Sequence, residues 1–196
     1  RIVKFEMLDY TVEQPPFYEK GLEGRCHIGY AGTLERTHVE ELARSLITTD
    51  ELEMDLFGRA GDWVKGLSAS LHYHGEFDSA DIVNVISRCC HFGIIIRGEG
   101  DRSWDAYHEY GSTSKFSSYM VSGVPVLVPS KYCYLSNLVS KYDVGLSFDS
   151  LKRVPEMIRS LDEKRYLTMR RNAYRLGKKM AEGQFLTKAL NMALVE

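Results

Sequence analysis

Lys115 is the residue whose setting most clearly invites chemistry. It lies in the run Ser112-Thr113-Ser114-Lys115-Phe116-Ser117-Ser118-Tyr119-Met120-Val121-Ser122-Gly123-Val124-Pro125-Val126-Leu127-Val128-Pro129. Hydroxyl residues at the start offer an N-cap, Gly123 offers a helix stop, and Val124 to Val128 reads as a buried strand that Pro129 ends. At the start of such a helix the first N–H groups, the helix dipole and the Lys115 ammonium converge on one point. That point suits an anion, and a diphosphate in particular. The plainer alternative is a solvated lysine in an ordinary cap.

The elements that must position this helix alternate along the chain. Cys26 to Ala31, Glu51 to Phe57, Ala69 to Tyr73, Phe92 to Ile96, Val124 to Val128 and Val144 to Phe148 read as strands. Between them, Leu34 to Leu46, a segment capped by Asp78 or Ser79, and Leu135 to Lys141 read as helices, with a short turn around Trp63. Asp149 or Ser150 starts a helix through Leu161, and a long basic helix from Glu163 to Leu194 closes the chain. Strand and helix in alternation predict an α/β fold, a Rossmann-like doubly wound parallel sheet. Ligands bind beyond the carboxyl ends of the strands in such sheets. The residues found there are Gly32 and Thr33, Gly58 and Arg59, His74 and Gly75, Arg97 to Gly100, and Ser130 to Tyr134. Four of these groups contain glycine, which lets backbone approach a ligand closely, although turns use glycine for the same freedom.

Composition narrows the ligand. The chain has 196 residues with 44% hydrophobic and 27% charged content, enough for one core that buries about 70% of the unfolded surface. A net charge of −2 gives no field that would gather nucleic acid. The first turn, Gly29-Tyr30-Ala31-Gly32-Thr33-Leu34, lacks GxGxxG, and no GxxxxGK[ST] occurs, which disfavours NAD and a phosphate-loop nucleotidase. Cys26, Cys89, Cys90 and Cys133 show no zinc spacing and read as reduced thiols of a cytoplasmic protein. No apolar run is long enough to span a bilayer.

Lys115 followed by Gly123-Val124-Pro125-Val126 resembles the donor-site helix and strand of GT-B glycosyltransferases. More narrowly, it is similar to the bacterial branch of adhesin-modifying glucosyltransferases and galactofuranosyltransferase-like enzymes. Asp143-Val144-Gly145-Leu146, Leu8-Asp9-Tyr10, Ile28 to Leu34 and Tyr73-His74-Gly75 extend the resemblance over nearly the whole chain. The resemblance implies the C-terminal half of a GT-B fold. Residues 1–20 would be the hinge or end of a missing N-terminal domain, 21–162 the nucleotide-sugar donor-binding domain, and 163–196 a long helix packing back toward that missing domain. Lys115, Thr113 and Ser114 would hold the donor diphosphate, and Gly32, Thr33, Tyr73, His74 and Gly75 the nucleotide.

The function so implied is transfer of a hexose from a UDP-sugar to a protein-glycan or polysaccharide acceptor, with the catalytic group in the missing half and this chain inactive alone. The alternative is a non-catalytic glycosyltransferase-like subunit that binds a partner. No cofactor and no metal are expected, the UDP-sugar being substrate. The implied partners are the donor, a glycan or glycoprotein acceptor and, in the full-length protein, a second copy of itself. Many retaining GT-B enzymes carry two glutamates where this chain has Tyr110 and Ser118. Sugar identity and stereochemistry therefore stay open.

The remaining candidates divide between two readings each. His72 and His74 share a strand face and read as a nucleotide contact or as structural histidines, with no carboxylate at a matching spacing for a metal. Glu99 and Asp101 touch sugar hydroxyls or solvate a loop. Tyr132 and Tyr134 pack in the core or on the donor. The basic residues from Lys164 to Lys179 read as a solvated face, with peripheral contact to an acidic membrane as the alternative.

Overall fold

One parallel sheet combines continuous apolar runs at Phe92–Ile94 and Val126–Pro129 with strands that carry histidines and carboxylates. A computed structural model describes residues 5–48, 50–96 and 111–194. Within them β1 (Cys26–Ala31), β2 (Leu52–Phe57), β3 (Leu71–Gly75), β4 (Phe92–Ile94), β5 (Val126–Pro129) and β6 (Gly145–Phe148) lie in the order β3-β2-β1-β4-β5-β6, all parallel. The order reverses between β1 and β4. A doubly wound sheet places its ligand crevice at such a switch point.

Helices α1 (Arg36–Leu46), α2 (Asp81–Cys89), α3 (Ser114–Val121), α4 (Cys133–Tyr142), α5 (Val154–Arg159), α6 (Glu163–Ala181) and α7 (Gln184–Leu194) complete the described chain. Two apolar clusters separate the layers. One joins Tyr30, Val39, Leu42 and Met54 on the α1 side, and the other joins Phe57, Ile86, Phe116, Tyr119 and Leu135 on the α2, α3 and α4 side.

The ladder of β1 to β4 pairs Ile28 with Phe92 and Gly29 with Gly93. Beyond it the buried Tyr119 hydroxyl accepts from Ala31 N at 3.0 Å and donates to Gly29 O at 2.9 Å. A side chain on α3 thus takes the place of a ladder partner where the strands part. Gly93 leaves the room for it, since a Cβ there would stand 2.4 Å from the Tyr119 ring.

Several elements differ from the sequence reading. His74 and Gly75 belong to β3 rather than following it, because their register continues alongside β2 as far as Phe57. The helix expected from Asp149 or Ser150 begins as a 3-10 turn, Leu151–Arg153, and becomes α-helical only around Pro155. Proline lacks an N–H and is tolerated only in a first turn. The single closing helix is two helices. Gly183 at φ +68° ends α6, and the Asp9 carboxylate accepts from the N–H groups of Phe185 and Leu186, the latter at 2.7 Å, starting α7 anew.

Residues 5–25 carry no helix or strand, yet they are tied in closely. Leu8 N donates to Ser112 Oγ at 3.0 Å, and Ser117 Oγ donates to Leu8 O at 2.6 Å. Gln14 donates to carbonyls of α3 and α6. Farther along, Lys20 donates to the carbonyls of Arg88 and Cys89, while the buried Arg170 of α6 donates to those of Ser87, Cys90 and Tyr18 and to the Tyr166 hydroxyl. The last carbonyls of α2, orphaned by the end of the helix, are all met by cations.

Candidate functional site

The carboxyl edge of β1, β2 and β3 is built from glycine backbone. Gly32 (φ +138°) follows β1 and its N–H donates to Phe57 O at 2.9 Å. Gly58 (φ +134°) follows β2, and its N–H donates to Gly75 O at 2.7 Å. Gly75 (φ +96°) ends β3. A Cβ on Gly58 would come within 1.9 Å of Gly32 O, so the turns after β1 and β2 interlock, whereas a Cβ on Gly75 would meet nothing within 4 Å. Tyr73, more than a third exposed, donates its hydroxyl to Gly58 O at 3.1 Å and braces the same edge.

Lys115 reaches this edge from the first turn of α3. Its Cε and Nζ both lie 2.9 Å from the position a Cβ on Gly32 would take. The helix start is built as its sequence suggests: Thr113 is the N-cap, with a hydroxyl that accepts from Phe116 N at 3.2 Å. Ser114 is exposed and Lys115 half-buried. Lys115 and Gly32, far apart in sequence, are therefore brought together at the switch point. Ammonium, helix N-terminus and bare glycine backbone at one place form an arrangement that can receive a diphosphate.

The other candidates fall into place around this centre. Thr33 is exposed just after Gly32. Tyr132 is buried in the core beside Leu135, and Tyr134 packs partly against it while its hydroxyl donates to Glu6 O. Ser118 is buried and donates to Lys115 O at 2.9 Å, supporting the helix turn that carries the lysine. Glu99, Asp101, Tyr110 and the post-strand segment 97–100 lie outside the described residues.

His74 and His72 have carboxylate partners that the spacing argument missed. His74 Nε2 lies 2.6 Å from Asp55, which also takes His27 Nδ1 at 2.8 Å, and the His74 ring stacks on Phe57. His72 Nε2 lies 2.7 Å from Glu53, which pairs with Arg25 as well. Glu53 and Asp55 occupy alternate positions of β2, and His72 and His74 occupy alternate positions of β3. That shared spacing of two was the available signal, and only the parallel register turns it into contact. Both carboxyls are held below their usual range. Burial pushes Asp55 up, but hydrogen bonds and charge from His27 and His74 outweigh it; Glu53 is lowered chiefly by its bond to Arg25. Among the described residues no group of three or more His, Cys, Asp or Glu is arranged to hold a metal ion.

This network continues to His91, buried at the start of β4, whose Nδ1 accepts from His27 N at 2.9 Å. Burial, then the nearby Lys20 charge, push its pKa down to about 3. The unfolded chain takes up that proton near pH 6.5 and the folded chain does not, so the contribution to stability is complete above about pH 6.5 and is lost as pH falls toward 3. Denaturant titrations at pH 7 and 4.5 are expected to differ by about 2–3 kcal/mol from this group. His91→Asn, which keeps an acceptor for His27 N, should flatten that difference; an undiminished slope would refute the assignment.

A hollow of about 740 Å³ lined by Lys20, Gly21, Arg25, His27 and His91 opens at the amino end of β1. It lies at the end of the sheet away from the glycine edge. Arg25 in it is already paired with Glu53.

Of the four cysteines, all free, Cys26 and Cys90 are buried, and burial pushes the Cys26 thiol up to about 12. Among the described residues no helix is long and apolar enough to cross a membrane. Part of the basic face of α6 is neutralised, Arg165 by Asp143 and Arg171 by Glu19.

Comparisons with known proteins bear on the family and the fold. A family model described as glucosyltransferase 3-like, C-terminal domain, matches residues 28–193. Glucosyltransferase 3 of Streptococcus gordonii is 30% identical over 106 residues, covering 52% of this chain and 31% of that protein. Among solved structures, Anabaena HepE in complex with UDP and glucose aligns with a TM-score of 0.57 at 13% identity, over 89% of this chain and 50% of that one. A mutant of T4 phage BGT in complex with UDP-glucose aligns at 0.51 and 14% identity, over 86% of this chain and 49% of that one. The chain spans half or less of the length of these proteins. At such identities the structural likeness speaks for the fold, which is the Rossmann-like sheet of GT-B carboxyl-terminal domains.

Proposed function

The chain belongs to the family of glucosyltransferase 3-like C-terminal domains, and from that premise we propose that it is the donor-binding domain of a glycosyltransferase that moves a hexose from a UDP-sugar to a protein-glycan or polysaccharide acceptor. The observation that carries the reading is the meeting of the Lys115 ammonium with the Gly32 backbone at the start of α3. In support, HepE was solved with UDP and glucose and the BGT mutant with UDP-glucose. Whether the hexose is glucosyl or galactofuranosyl depends on residues that touch the sugar ring.

In this reading Lys115, with the N–H groups of the first turn of α3 and the hydroxyls of Thr113 and Ser114, binds the diphosphate. Gly32, Thr33, Tyr73, His74 and Gly75 border the nucleotide. As the glycosidic bond breaks, negative charge grows on the departing phosphate oxygen, and a fixed ammonium beside a helix N-terminus stabilises it without reorganisation. Activation of the acceptor falls to a separate amino-terminal domain, joined through residues 1–20 and contacted by the chain from 163 onward. Cytoplasmic location and self-association of the whole enzyme belong to the same proposal.

Calorimetric titration with UDP tests it. The wild-type chain should bind, and Lys115→Ala should weaken binding at least about tenfold, since a charged hydrogen bond contributes about 1.5–3 kcal/mol. No heat of binding at millimolar UDP would overturn the proposal. A partner-binding module would instead be indifferent to the substitution.

A further inference from the structure

We propose that Tyr30 is a positioning residue for the donor diphosphate, its ring holding the Lys115 ammonium over the backbone of Gly32. The inference rests on the donor-site reading above and adds to it a residue from the opposite layer of the fold.

Lys115 Nζ lies 4.7 Å from the centroid of the Tyr30 ring. A cation this close to an aromatic face is attracted by the negative charge of the π-cloud. Tyr30 is held firmly enough to serve as a fixed reference. It is 3% exposed, it is the penultimate residue of β1, and its ring meets the edge of His38 on α1 at 5.4 Å. Its neighbours belong to the apolar cluster on the α1 side, whereas Phe116 and Tyr119 of α3 belong to the cluster on the other side of the sheet. The lysine stem therefore crosses the end of β1 from one layer to the other, and the ring catches its head. Gly32, two residues on, supplies the gap through which it passes, since even a Cβ there would stand 2.9 Å from Cε and Nζ.

The chemistry explains why an aromatic ring suits this place. A lysine stem has four rotatable bonds, and the entropy lost in fixing it subtracts from affinity unless it is ordered beforehand. A carboxylate would order it too, but would repel the diphosphate it must receive. An aromatic face orders the ammonium without adding a negative charge to the site.

The test replaces Tyr30 by residues of similar shape and graded π-electron density. Tyr30→Phe should keep UDP affinity within about twofold of wild type, because the ring face remains. Phenylalanines of increasing ring fluorination at position 30 should then weaken UDP binding stepwise, reaching about fivefold for the fully fluorinated ring. Urea midpoints are measured alongside, since a purely structural ring would change stability without a graded change in affinity. If wild type and Tyr30→Phe bind UDP and every fluorinated variant binds equally well, the role of Tyr30 is overturned and the donor-site reading stands. If wild type binds no UDP, both fall.

Discussion

Gly58→Ala is expected to cost the chain roughly 3–5 kcal/mol of stability and, in the protein that remains folded, most of its affinity for UDP. The two losses share one cause. Gly58 has φ +134°, a conformation that side chains rarely adopt, and its Cβ would be driven to 1.9 Å from Gly32 O. Backbone on both sides of that collision is fixed by hydrogen bonds, Gly32 N to Phe57 O and Gly58 N to Gly75 O, so no flexible side chain can yield. Relief requires the turn after β1 to move, and Lys115 rests on that turn. Gly66→Ala is the control, at a glycine with nothing within 4 Å of its would-be Cβ. Urea titration and UDP calorimetry on both variants check the expectation; an unchanged urea midpoint for Gly58→Ala would contradict the packing described.

Arg170→Ala should be comparably severe, lowering stability by about 3–5 kcal/mol without involving the glycine edge. The guanidinium is 1% exposed and donates to Ser87 O at 2.8 Å, Tyr18 O at 2.9 Å, Cys90 O at 3.1 Å and the Tyr166 hydroxyl at 3.1 Å. Alanine leaves buried carbonyls at the end of α2 unmet and opens a cavity. Arg170→Lys should recover only part of the loss, because one ammonium cannot reproduce a planar fork aimed at separate acceptors. A shift of about 10 °C or more in thermal midpoint is expected for the alanine variant of a chain this size. Retention of the wild-type midpoint by either variant would show that the fork carries less than its geometry indicates.

How far the sequence foretold these features depended on how local their signals are. Thr113, Lys115 and Gly123 announce a capped helix because capping acts between residues three or four apart, and the structure begins α3 at Ser114 with Thr113 as its cap. Gly32, Gly58 and Gly75 stand out because each comes after a predicted strand, either as a turn glycine or as backbone that a ligand can approach. Their interlocking is not legible in the sequence, since it depends on β1, β2 and β3 being neighbours. The same holds for Tyr119 and Arg170. One resembles any core aromatic and the other any basic residue of a helix until the crossing of the helices is known. In β2 the alternation of Leu52, Met54 and Leu56 by itself predicts one buried face, whereas all six residues are buried, because Glu53 and Asp55 lie beneath histidines of the adjoining strands. The break between α6 and α7 was written in Gly183. It took the Asp9 carboxylate, some 170 residues earlier, to make it a helix start.

The clasp on Leu8 links two parts of the chain energetically. Ser112 and Ser117 hold the N–H and the carbonyl of Leu8, and Lys115 lies between those serines. A load on the segment around Leu8 is thereby delivered, through two short serine side chains, to the turn that carries the ammonium. Linkage makes the transmission reciprocal: an anion that stiffens the start of α3 must also slow the opening of the Leu8 amide, by the same free energy through which tension at Leu8 would alter the anion's hold.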